Sequence, residues 1–280
     1  MKIIKHLSII LLFFGLFSCD KTEKPPIIDN PLDGKILFQK FQDNDHIIEL
    51  YTESGKLKQG YNRIFLQLKK SDNSILENPN IQWNPLMHMS TTNHSCPYST
   101  LKLSGQSKTV LEGYIIFQMA SNNSEFWELK FDYTVDGQSY QVSDTIEVLP
   151  STYKNTISFK GADSVKYLIA LAAPQNPKIG TNDMSALLFK MENMMSFPAV
   201  NGYTIQIDPR MPSMGNHSSP NNEHLKQTNE AGFYNGKLNL TMTGYWKINL
   251  QLLDKNQNNL KGEAITPSNE SSSIFLEIEL

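Results

Sequence analysis

One stretch of this chain occurs twice. Ile81-Gln-Trp-Asn-Pro-Leu-Met-His-Met-Ser-Thr-Thr-Asn-His-Ser95 returns, one residue shorter, as Ile205-Gln-Ile-Asp-Pro-Arg-Met-Pro-Ser-Met-Gly-Asn-His-Ser218. Both copies hold Ile-Gln, a proline at the same offset (Pro85, Pro209), a methionine two residues later (Met87, Met211) and a closing Asn-His-Ser. A repeat of this kind predicts two successive units of the same build. It also sets four of the six histidines (His88, His94, His217 and His224) in or just after methionine-bearing segments. Thioether, imidazole and thiolate are the ligands preferred by soft metals such as Cu(I).

The first residues are read as a targeting segment. Lys2 and Lys5 precede an apolar run from Leu7 to Phe17, too short to anchor in a bilayer and suited to a secretory signal. It ends in Leu16-Phe-Ser-Cys19, which resembles a bacterial lipobox. Residues 1–19 are therefore expected to be a lipoprotein signal, with Cys19 the lipidated first residue of the mature protein. Residues 20–34, polar and carrying Pro25 and Pro26, read as a tether. The expected location is the cell envelope, on a membrane outside the cytoplasm, the outer membrane by preference.

The remaining length of about 250 residues suits two domains, 35–150 and 151–280, joined near Pro150-Ser-Thr. A formal charge of −3 with scattered Lys and Arg gives no basic stripe, so nucleic acid is not an expected partner. Short apolar or alternating runs bounded by Asn, Ser, Gly or Asp read as strands: 63–69, 113–119, 126–133 and 141–148, then 165–171, 186–191, 237–242, 245–252 and 273–280. Asp136-Gly137 supplies the positive φ angles of a tight hairpin. The fold class expected is all-β, with two tandem immunoglobulin-like β-sandwiches.

Met211-Pro-Ser-Met-Gly-Asn-His217, Ala231-Gly-Phe-Tyr234 and Gly244-Tyr-Trp-Lys-Ile248 together resemble the YtkA-like, or FixH-like, domain. The resemblance covers roughly residues 178–252. It implies a small extracytoplasmic immunoglobulin-like module of a kind associated with copper or cation handling or with oxidase assembly. The first half departs from that pattern, with Met87-His-Met89 in place of Met-Pro-x-Met.

Two metal sites are expected from the residue types. Met87, Met89, His94 and Cys96 form one candidate set, closed by a reversal across Ser90–Asn93. Met211, Met214, His217 and His224 form the other; steps of three converge only on a turn, which Pro212 and Gly215 favour. Thioethers with imidazole suit Cu(I) or Ag(I), whereas Ca²⁺ and Mg²⁺ want oxygen and Zn²⁺ takes Cys, His or carboxylate. Met119, Met242, Trp127 and Trp246 read as core. Cys96, the one cysteine left after lipidation, is either buried, reactive, paired between chains or a ligand. No Gly-x-Ser-x-Gly elbow, His-Glu-x-x-His helix or glycine-rich phosphate loop is present, so no enzyme is expected. The expected role is to bind or carry a soft ion, Cu(I) first, and pass it to a membrane-bound partner. The alternative is a non-metal envelope module that binds a protein, peptide or glycan.

Overall fold

The computed structural model describes residues 30–43, 45–227, 230 and 232–280. The leader, Cys19 and tether residues 20–29 lie outside the described residues. Within them every regular element is a β-strand apart from one 3-10 turn at Pro212–Met214. The first half holds β1 (Ile36–Asp43), β2 (His46–Thr52), β3 (Leu57–Lys58), β4 (Gly60–Lys70), β5 (Asn80–His88), β6 (Asn93–His94), β7 (Lys102–Leu103), β8 (Val110–Phe117), β9 (Phe126–Val135), β10 (Gln138–Ile146) and β11 (Val148–Leu149). The second holds β12 (Thr156–Lys160), β13 (Lys166–Ala173), β14 (Gly180–Met191), β15 (Thr204–Met211), β16 (His217–Ser218), β17 (Glu223–Gln227), β18 (Phe233–Leu240), β19 (Tyr245–Leu253), β20 (Asn259–Lys261) and β21 (Phe275–Glu279).

Each half is a β-sandwich. In the first, the sheet β1-β2-β4-β8-β7 faces the sheet β10-β9-β5-β6. Alternation on β9 buries Trp127, Leu129, Phe131, Tyr133 and Val135 against Ile48, Leu66 and Ile115 of the opposite layer. The chain changes layer between β4 and β5, returns between β6 and β7 and crosses again between β8 and β9, so neighbours in sequence end up facing each other across the core. In the second half, β12-β13-β14-β18 and β15-β19-β20 form the layers, with β16 on β15 and β21 on β19. There β17 pairs with both β18 and β15 and makes the sheet continuous along one edge.

Both halves use the same device where the third main strand begins. Gly60 (φ 99°) and Gly180 (φ 97°) take a backbone shape that other residues rarely adopt. Two residues on, Asn62 accepts from Lys58 N at 2.9 Å and donates to the carbonyls of Lys58 and Gly60. Asn182 does the same with Lys178 and Gly180, at 3.0, 2.8 and 3.0 Å. A Cβ at Gly60 would also collide with Asn155, which donates to the Gln59 carbonyl.

Three strands, β8, β13 and β14, bury apolar side chains on both faces, as their near-continuous apolar runs require. On β13, Tyr167, Ile169 and Leu171 fill the second core, while Leu168, Ala170 and Ala172 face the other way. Leu187 and Phe189 of β14 and Ile116 of β8 join that outward set, with Tyr61, Tyr114 and Phe233 packed around it. The two halves are therefore held face to face by an apolar cluster of their own.

Across β1, β2 and β4, Glu49 is bound by Lys40 at 2.8 Å, Lys69 at 2.5 Å and the Tyr51 hydroxyl at 2.6 Å. Burial on its own would raise its carboxyl pKa, but these partners hold it down, from 4.5 to about 2. A depressed carboxylate contributes stability that is present above the unfolded value and is lost as the pH falls towards 2. We expect wild type to lose on the order of 2–3 kcal/mol more than Glu49→Gln between pH 6 and pH 2. Urea unfolding across that range measures the difference; parallel curves for the two proteins would contradict it.

Candidate metal-binding corner

The candidate residues of the first half gather at one end of its sandwich. The chain reverses after β5, with Met89 N–H bonded to the Thr92 carbonyl at 3.0 Å, and returns as β6. Met87 then lies directly opposite His94, the reversal expected from the sequence. On its other side Met87 pairs with Trp127 of β9. The Trp127 indole N–H donates to the Met119 carbonyl at 3.0 Å, fixing the segment that leaves β8. Three strand ends and one loop therefore converge.

At that corner His94 is 7% exposed, and its Nε2 lies 3.4 Å from the Met119 Sδ. Its Nδ1 lies 2.8 Å from the Ser95 carbonyl oxygen. A carbonyl can only accept, so Nδ1 carries the hydrogen and donates. In the neutral ring Nε2 is then an acceptor, and it faces a thioether that likewise only accepts. The Trp127 ring stands edge-on to the imidazole, centroids 5.5 Å apart. Met87 is fully buried beneath, and Met89 packs at the margin of the same core. In that neutral, Nδ1-protonated ring two lone pairs face each other at a place closed to most of the solvent.

Met119, which sequence reasoning placed in the core and which packs against it, also brings its sulfur into contact with His94. Its sequence signal is the position two residues past the β8 run, matched by Met242 two past β18. Trp246 donates to the Met242 carbonyl at 3.1 Å, as Trp127 does to that of Met119. Cys96 sits within the core at 1% exposure. Burial pushes its thiol pKa well up, a rise that a backbone hydrogen bond at Ile116 only partly offsets, so the reactive thiolate is suppressed.

The second half closes a matching hairpin, with Met211 opposite His217 across the Pro212–Met214 turn and Gly215 left-handed. Its candidate side chains do not gather. Met211 is buried in the core, Met214 is 58% exposed and His217 faces solvent. His224 lies opposite the far end of β15, where its Nδ1 accepts from Ile207 N at 3.2 Å. Ile207 and Met211 are four residues apart on a strand, about 13 Å, so β17 carries His224 away from Met211. His224 instead lines a polar cleft of about 370 Å³ with Asp208, Arg210, Asn222 and Glu263. The charges there are already engaged: Arg210 grips Asp208 through two bonds, and Glu263 accepts from Ser273. Among the described residues, no three His, Cys, Asp or Glu side chains come together as a metal-binding group.

The opposed acceptors predict how the metal-free protein responds to loss of the sulfur. Met119→Leu conserves volume, a change that normally costs under about 1.5 kcal/mol. With the ring neutral and its hydrogen on Nδ1, it also removes an acceptor that has no donor in His94, so we expect stability within about 0.5 kcal/mol of wild type, or slightly above. Chemical denaturation at neutral pH tests this. A loss beyond about 2 kcal/mol would mean that the sulfur accepts a hydrogen bond from His94.

A search of curated proteins finds no match. Among solved structures, the chain is similar to a conserved domain protein from Bacillus anthracis, at 9% identity over 90% of this chain and 93% of that one, TM-score 0.32. It is also similar to a DUF4785 family protein from Legionella pneumophila subsp. pneumophila str. Philadelphia 1, at 11% identity and TM-score 0.26, with coverage of 78% of this chain and 54% of that one. A Salmonella alpha-2-macroglobulin variant matches at 11% identity and TM-score 0.29, over 85% of this chain and 17% of that one. The chain thus spans about half of the Legionella protein and less of the Salmonella one. Within the second half, residues 161–251, which include the Met211–His217 hairpin, match the YtkA-like family.

Proposed function

We propose that this chain is a lipid-anchored envelope protein that binds a soft metal ion, Cu(I) first, at the corner formed by His94 and Met119 over Met87. The observation that carries this reading is the contact of Nε2 with Sδ at 3.4 Å, which sets two acceptors face to face when the ring is neutral with its hydrogen on Nδ1. Bond lengths of about 2.0 Å to nitrogen and 2.3 Å to sulfur, as in zinc sites, turn that separation into an N–metal–S angle of about 104°. This is close to tetrahedral, so the separation itself is compatible with one ion bound to both atoms. Softness then favours Cu(I) or Ag(I) over oxygen-seeking cations. The bond from Nδ1 to the Ser95 carbonyl is the outer-shell contact that orients a ligating imidazole. The binding set is therefore His94, Met119 and Met87, with Met89 at its edge. Met211, Met214 and His217 do not gather and are left out of it; the membrane reached through Cys19 would hold the partner that receives the ion.

Competition for Cu(I) against a chromophoric chelator, under reducing conditions, tests the reading. The chain from Lys21 onward should withdraw one tightly held ion. His94→Ala and Met119→Leu should each weaken uptake about tenfold or more. Met211→Ala/Met214→Ala should leave that tight ion in place. A wild-type protein that leaves the chelator fully loaded would sink the metal reading and favour a module that binds a protein, peptide or glycan.

A further inference from the structure

The hairpin that carries His94 is held from the other half of the molecule. Between β14 and β15 the chain makes a tight turn, with Glu192 N bonded to the Ser196 carbonyl at 3.0 Å and Met195 N to the Asn193 side chain at 2.8 Å. The tip of this turn reaches the first half. The Met194 carbonyl accepts from Ser95 N–H at 2.9 Å, and the Thr92 hydroxyl donates to the Met194 Sδ at 3.8 Å. Thr92 and Ser95 bracket Asn93 and His94, so a thioether of the second half is fastened to the hairpin that carries the imidazole of the first.

This turn is made of the wrong residues for an ordinary surface turn. Met194 and Met195 occupy its centre at 40% and 51% exposure, where Gly, Asn, Asp or Ser are usual. The corresponding connection between β4 and β5 (71–79) contains no methionine. Packing does not account for Met195, which is half in water. Two exposed thioethers, one oriented by a hydroxyl donor, form a soft and weakly binding surface next to a more enclosed soft site.

We infer that Met194 and Met195 are the entrance to the His94–Met119 corner, relay ligands through which a soft ion arrives and departs. This rests on the metal-binding reading above. The second half then contributes to the first half's hairpin: it lends the Met194 sulfur and a backbone clamp, with Met195 next to it in the turn. A neutral thioether outside the corner takes the ion from its donor as one donor ligand leaves, and gives it up as Met119 and His94 close on it. No charge changes and no bond beyond the metal–ligand bonds is made or broken.

The test is the rate of Cu(I) exchange between the chain from Lys21 onward and a chromophoric chelator, followed by stopped flow in both directions. Three proteins are compared: wild type, Met194→Ser/Met195→Ser and Met194→Leu/Met195→Leu. The leucine pair keeps the bulk and removes only the sulfur. A relay lowers the barrier both ways, so uptake and release should slow together by about tenfold in both variants, with the final partition changed far less. Wild-type rates in both variants would overturn the relay while leaving the corner intact. Rates lost with serine but kept with leucine would overturn it too, because packing and not sulfur would then be responsible. A wild-type chain that takes no ion at all would overturn the binding reading and the relay together.

Discussion

The hydrogen bond from His94 Nδ1 to the Ser95 carbonyl, 2.8 Å long, decides the chemistry of the corner. Without it the ring could turn an N–H towards Met119 and satisfy the sulfur. With it, the neutral ring has only a lone pair to offer, and the sulfur has nothing else to accept from it. The bond exists because β6 follows β5 after a tight reversal and sets His94 opposite Met87. That reversal is fixed in turn by Ser95, whose hydroxyl donates to Pro85 at 2.8 Å and whose N–H donates to Met194. The corner is thus held from β5 on one side and from the second half on the other.

The two halves share their framework and differ in what they expose. The glycine–asparagine clamps at Asn62 and Asn182 and the indole-to-carbonyl bonds of Trp127 and Trp246 are the same devices at corresponding places. At the hairpin the halves part. His94 is drawn into the sandwich beside Met119, whereas His217 is left in water while Met211 stays in the core. The YtkA-like match at residues 161–251 therefore falls on the half whose paired histidine is left in solvent while its methionine is buried. The assembled corner lies in the half outside the matched segment. A shared framework with one closed and one open hairpin is consistent with different tasks for the two halves.

Much of the fold was legible in the sequence because period-two alternation reports burial on a single face. Trp127 to Val135 alternates without a break, and Asp136-Gly137 takes the two positive φ angles its dipeptide demands. The reversal that sets Met87 opposite His94 was also readable, from a short polar turn between two methionine- and histidine-bearing stretches. Met119 was not. It reaches His94 because the chain changes layer between β8 and β9, and alternation along one strand carries no information about such a crossing. His224 was misplaced for a related reason: β17 pairs with the Thr204–Ile205 end of β15, and register between strands is set by the whole sheet. The contact between halves did leave a trace, in the near-continuous apolar run of β13, which a strand with one wet face would not need.

The most direct test of the corner is the nitrogen spectrum of His94 in protein labelled with ¹⁵N-histidine, recorded with and without Ag(I) as a redox-inert soft ion. Without metal, the hydrogen should sit on Nδ1, with Nε2 carrying the free lone pair. One equivalent of Ag(I) should move the Nε2 resonance and the Met119 methyl resonance together and leave Nδ1 protonated. A hydrogen on Nε2 in the metal-free protein, or a His94 spectrum that Ag(I) does not change, would contradict the account.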